Sequence, residues 1–129
     1  MIAVVRFRAG GARYAVPVSD VRQVRPAADV SALPAARSGV AGVIRQGGAA
    51  LPVLSVLGSP AEQVLMLEAG GRGYGLLVEE VSAVAHVDER GLGPPPDGQD
   101  AGLVTGILDA GAELVLVLDA AAMGARFLG

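Results

Sequence analysis

The chain contains no cysteine. That excludes a disulfide framework, a thiolate metal site and a cysteine nucleophile together. Tryptophan is also missing, and aromatic residues make up only 3% of the 129 positions. Hydrophobic content is nonetheless 52%, so a core has to be built from Val, Leu, Ile and Ala. Small aliphatics make thin, tight layers, which suits small barrels and sandwiches. There is no lysine either: all ten basic residues are arginines, scattered along a chain of net charge −3. No basic stripe is present to release counterions from a phosphate backbone, so nucleic-acid binding is not expected. The longest late apolar run, Leu114 to Leu118, is far too short to span a bilayer. The opening MIAVVRFRAGG has no basic region followed by a long apolar core, so it does not read as a secretory signal. The expectation is a soluble cytoplasmic protein with no membrane insertion.

What the chain does have is a repeat. AGGARYAVPVSDV, from Ala9, returns as AGGRGYGLLVEEV, from Ala69, an offset of 60. Ala, Gly and Val matches are cheap in this composition. The tyrosines are not, because the chain has only two and Tyr14 falls on Tyr74. Val18, Val21 and Val24 likewise fall on Val78, Val81 and Val84. A second echo follows at an offset of 64: GVIRQGGAALPVLS, from Gly42, returns as GILDAGAELVLVLD, from Gly106. The extra residues between motifs are assigned to the stretch around Pro94–Pro95–Pro96. Each half reads strand, Gly turn, strand, a third element, then another hairpin.

Local signals agree. VVRFR and RYAVPV flank Gly10–Gly11, and VLMLE and GYGLLV flank Gly70–Gly71, as strands flank a hairpin turn. Pro17 inside a strand argues for an edge or a bulge. Ser19–Asp20 and Glu79–Glu80 sit where short helical turns can begin. Ala101–Asp109 and Leu114–Asp119 form a last hairpin around Gly111, and Ala120–Leu128 reads as a terminal helix. Repeat units of roughly sixty residues, 1–60 and 61–129, are too small to bury cores alone. Packed together, they give one domain, residues 1–129, of two small β-barrels related by a pseudo-twofold with a groove between them.

Catalytic constellations are few. His86, the only histidine, lies in a strand-like run without further ligands at metal spacing. Glu79 and Glu80 read as solvated charge or a cap. The serines lack the context of a nucleophile elbow. Gly10–Gly11, Gly47–Gly48 and Gly70–Gly71 lack the strand-to-helix pattern and the lysine of a phosphate loop. Binding is therefore the default over catalysis, and an enzyme or ligand binder would need a deep pocket of converging polar groups. The hairpin carrying Val43, Ile44, Leu51, Val53 and Leu54 is mainly core, with some apolar residues left for an exposed contact patch.

These residues resemble the CheW-like domain family, the adaptors of bacterial chemotaxis arrays. FRAGGARYAVPVSDVRQV, LPAARSGVAGVIRQGGAALPVLSV and GGRGYGLLVEEVSAVAHVD follow the family's order of elements over nearly the whole chain. The resemblance implies an all-β fold of two five-stranded SH3-like barrels with short helical turns and a short C-terminal helix. It implies no enzymatic activity and no cofactor. It implies two partners, the regulatory domain of a CheA-type histidine kinase and the cytoplasmic tip of a chemoreceptor. Carried over by position, Val21, Gln23, Gly42, Val43, Arg45, Gln46, Gly47 and Gly48 are the expected partner-binding residues beside the groove. The family usually reads Asn-Leu-Arg-Gly where this chain has Arg45 to Gly48, and often Glu where it has Gln23. Losing both members of a Glu–Arg pair is a coherent change. The expected function is an adaptor coupling receptor to kinase. The alternative is a CheW-like interaction module of another polarity, motility or signalling system. Gly42→Asp is expected to disrupt partner binding more than fold.

Overall fold

The computed structural model describes residues 1–95, 97–98, 102–111 and 113–129. Pro96, third in the expected proline connector, and Ala101, expected to open the last hairpin, lie outside them. The first half comprises β1 (Ile2–Ala9), β2 (Ala12–Pro17), β3 (Val21–Pro26), β4 (Ser31–Ala32), β5 (Val40–Gln46) and β6 (Ala49–Leu54). The second comprises β7 (Gln63–Ala69), β8 (Arg72–Val78), β9 (Glu80–Val87), β10 (Leu92–Gly93), β11 (Val104–Ala110) and β12 (Glu113–Leu118), followed by helix α1 (Ala120–Leu128).

The halves exchange hairpins. One sheet runs β10-β11-β12-β2-β1-β9 and the other β3-β7-β8-β6-β5-β4. Each barrel therefore has five longer strands and one two-residue edge strand. The echoes in the sequence are echoes in register. β1 faces β9 with a bulge that skips Ser82, and β7 faces β3 with a bulge that skips Arg22, 60 residues earlier. β5–β6 skips Ala41 and β11–β12 skips Thr105, 64 residues apart. A bulge bends a strand and increases its twist, so matched bulges curl both sheets in the same way.

Strand alternation gives each central hairpin two apolar faces, and the fold uses both. Val4, Ala15, Leu108, Val115 and Val117 fill the first barrel. Ile44, Val53, Val64 and Met66 fill the second. Phe7, Val16, Leu54, Leu65, Leu67 and Leu76 belong to the core joining the barrels. Each large side chain buried there contributes about 1.5–3 kcal/mol. Phe7 stacks on Tyr14 at a centroid distance of 5.5 Å. Helix α1 begins at Asp119, whose carboxylate accepts from the Ala122 amide at 3.0 Å, and it buries Ala120 and Met123 against the joining core.

Several local expectations need correction. Pro17 lies at neither an edge nor a bulge: it ends β2, which sits between β12 and β1. The parallel pairing of β2 with β12 covers only Arg13 to Ala15, so the amide hydrogen that proline lacks is not needed there. A helical turn does form over Val18–Asp20, but Pro17 precedes it and no side chain caps it. No helical turn forms at Glu79–Glu80. Glu79 is a bend and Glu80 opens β9, because both carboxylates accept from Arg8, at 2.8 and 2.9 Å. The last hairpin strand starts at Val104, later than expected.

Candidate functional site

Gln23 stands exposed on β3, an edge strand of the second barrel. Arg45 and Gln46 end β5, and Gly47–Gly48 form the turn into β6. Both glycines have positive φ, +56° and +84°, the pairing that a two-residue hairpin turn demands. The two elements are tied by side chains. Gln46 Nε2 donates to Gln23 Oε1 at 2.8 Å. Arg25 donates to Gln46 Oε1 at 3.0 Å and to the Arg45 carbonyl oxygen. Asp29 Oδ2 accepts from the same guanidinium at 2.9 Å. Beside this bridge lies a hollow of about 200 Å³, with Gln46 and Leu51 on one side and Arg22 and Glu68 on the other. Arg22 Nε and Glu68 Oε2 pair at 3.3 Å across its rim.

The structure thus brings Gln23, Arg45, Gln46, Gly47 and Gly48 together at one exposed rim. It does not bring the other expected residues there in the same way. Val21 is half-buried in the core between the barrels. Val43 is half-buried between Ser31 and Pro52 in the sheet. Gly42 is buried, and a Cβ at that position would lie 2.1 Å from the Ser31 carbonyl oxygen. The short strand β4 pairs alongside it, Ala32 opposite Gly42, and a main-chain atom cannot step aside as a flexible side chain can. Gly42→Asp therefore breaks the β4–β5 contact first, which reverses the expectation that it would spare the fold. The leftover apolar patch is also differently placed. Ile44, Val53 and Leu54 are buried and Val43 and Leu51 half-buried, while the exposed large apolar side chains include Val24, Leu33, Val84 and Leu114.

Arg25, which holds the rim together, was missed among the expected site residues. Strand alternation carries the signal for it, since Arg25 is two residues beyond Gln23 and shares its face. Arg22 and Glu68 carry no such signal, being 46 residues apart. Burial pushes the Asp20 carboxyl above the usual carboxylate range; Arg22 opposes this and Asp119 adds to it. Burial also raises the Tyr74 and Tyr14 hydroxyls. His86 stays exposed on β9. Among the described residues, no group of three or more His, Cys, Asp or Glu side chains is placed to hold a metal ion, and no helix is long and apolar enough to cross a membrane.

Known proteins share this fold. The crystal structure of the scaffolding protein TtCheW from Thermoanaerobacter tengcongensis superposes with a TM-score of 0.83 at 23% identity, covering 92% of this chain and 84% of that one. A chemotaxis protein CheW from Rhizobium meliloti (strain 1021) is 31% identical over 102 residues, 72% of this chain. The matched region is 66% of that relative's length, just under two thirds. The model of the CheW-like domain matches residues 3–126. With nearly every strand inside that match, the chain belongs to the CheW-like domain family.

Proposed function

We propose that the protein is a non-enzymatic cytoplasmic adaptor that couples a chemoreceptor to a CheA-type histidine kinase, without a cofactor. The observation that carries this reading is the family match across residues 3–126, together with a surface on which the Gln23–Gln46–Arg25 bridge fixes an exposed rim. The chain is read as one domain whose units, 1–60 and 61–129, are copies of one ancestral unit. Val21, Gln23, Gly42, Val43 and Arg45 to Gly48 are its partner-binding region: Gln23, Arg45 and Gln46 make the contacts, and Val21, Gly42 and Val43 set the backbone beneath them. Scaffolding needs no chemistry at this site. A bound receptor biases the kinase only insofar as binding differs between kinase states.

One observation favours a second reading. Gly47 and Gln23 stand where the resemblance leads one to expect Arg and Glu, and Gln23 is satisfied by Gln46 instead. The rim therefore suits a partner other than the usual receptor tip, in another signalling or localisation system.

The test is capture of partners from native cytoplasm by the tagged protein, with Gln46→Ala as control. Recovery of a CheA-type kinase with a coiled-coil receptor, diminished in the control, supports the adaptor. Recovery of a different specific partner, with neither of these, supports the second reading. Recovery that Gln46→Ala leaves unchanged overturns the placement of the site.

A further inference from the structure

The two barrels share a strand plan but close their edges differently. In the second barrel, Arg25 on β3 reaches across to the end of β5, where its guanidinium engages the Arg45 carbonyl and Gln46, and it also pairs with Asp29 in the turn after β3. The matching position in the first barrel is Ala85. Arg25 pairs with Val64 on β7 as Ala85 pairs with Val4 on β1, and Val64 and Val4 fill their respective barrels. The residue matching Arg45 is Asp109, which faces Leu114 as Arg45 faces Ala50. A methyl group at 85 cannot bridge to β11.

The space left is a cavity of about 230 Å³. Ala85, Val87, Leu108 and Val115 give it an apolar lining, and Asp88 and Asp109 add carboxylates. Arg6 forms one wall, at the position of the buried Met66 in the other barrel. Its guanidinium faces Glu113 at 3.6 Å, which also holds Arg13 at 3.0 Å. Asp88 pairs with Arg90 at 3.2 Å. Asp109 has no ion-pair partner among the described residues.

We propose that this cavity is a docking pocket for an arginine side chain presented by a partner protein, seated as Arg25 is seated in the second barrel. The stem of the arginine covers the apolar lining while its head meets carboxylates and the end of β11. A planar fork satisfies a carboxylate and a carbonyl at once, which a lysine ammonium does not do with the same geometry. The cavity is too small for a drug-sized ligand and suits one long side chain. The inference goes beyond the adaptor reading, because it concerns the opposite barrel and requires neither the kinase nor the receptor.

The experiment titrates the ¹⁵N-labelled full chain with N-acetyl-arginine methylamide and follows amide shifts. Saturable shifts are expected at Ala85, Leu108 and Asp109, with the second barrel unmoved. Asp109→Asn, an exposed substitution, should weaken binding about fivefold or more, and the matching lysine probe should bind more weakly. Ala85→Arg should abolish the shifts by filling the pocket from within. Absence of saturable shifts in the folded wild type overturns the proposal. So does a response to arginine that Asp109→Asn leaves unchanged, which keeps the test decisive even if Ala85→Arg does not fold.

Discussion

The side-chain amide of Gln46 donates to Gln23 Oε1 at 2.8 Å, joining the end of β5 to an edge-strand residue 23 positions earlier. Gln46→Ala removes this bond and the acceptor used by Arg25. Because the network is largely exposed, the stability loss should be no more than about 1 kcal/mol, seen as a small shift in a urea transition. Partner capture should fall much further. Equal capture by wild type and variant would separate this rim from function.

The same rim invites a gain-of-contact test. Gln23→Glu keeps the acceptor for Gln46, and a side chain at Gly47 meets nothing within 4 Å. Adding Gly47→Arg costs about 1–2 kcal/mol, because φ there is +56°. If the rim binds a receptor tip, the double variant should bind an isolated receptor hairpin more tightly than wild type despite its lower Tm. Unchanged or weaker binding in titration calorimetry would argue for a different occupant.

Gly42 should behave as a folding position. With the Ser31 carbonyl oxygen 2.1 Å from an ideal Cβ, even Gly42→Ala must push β4 away from β5. The expected loss is at least about 2 kcal/mol, measured by chemical denaturation. Wild-type stability in that variant would mean that β4 yields freely.

The duplicated tyrosines should respond differently. Tyr74 is fully buried and its hydroxyl donates to the Ala120 carbonyl at 2.7 Å. Tyr14 is half-buried, stacks on Phe7, and has no hydroxyl hydrogen bond among the described residues. Tyr74→Phe should cost about 1–2 kcal/mol, whereas Tyr14→Phe should be close to neutral. Equal losses in the two variants would contradict this assignment.

Asp20 supplies a pH dependence. Its folded-state pKa is raised, chiefly by burial, so the folded state holds the proton more tightly than the unfolded chain does. The resulting stabilisation is complete in acid, below the ordinary carboxylate pKa, and is lost as pH rises through the raised value. Asp20→Asn should therefore be more stable than wild type near neutrality, with the gap closing in acid. Thermal melts across that range check it, and a gap independent of pH would rule the mechanism out.

Much of the fold was legible because its signals are local. Gly10–Gly11, Gly47–Gly48 and Gly70–Gly71 mark turns, and Tyr14 with Tyr74 marks the repeat. The candidate rim was legible in part, since Gln23 and the turn after β5 were named by position. Arg25 was open to the same alternation that places Gln23. Gly42 was misjudged because its constraint comes from Ser31, which the chain brings alongside only after the loop between β4 and β5 has closed.

By itself, the sequence determined the strands, their turns, the terminal helix and an aliphatic core, because hydrophobic alternation and backbone freedom act over a few residues. Tertiary structure alone decided that β1–β2 joins the sheet of the second half, that Tyr74 is locked while Tyr14 is not, and that Arg25 closes one barrel while Ala85 leaves the other open. Each of those outcomes depends on groups far apart in the chain. The free energy of such contacts exists only once both sheets have curled and met.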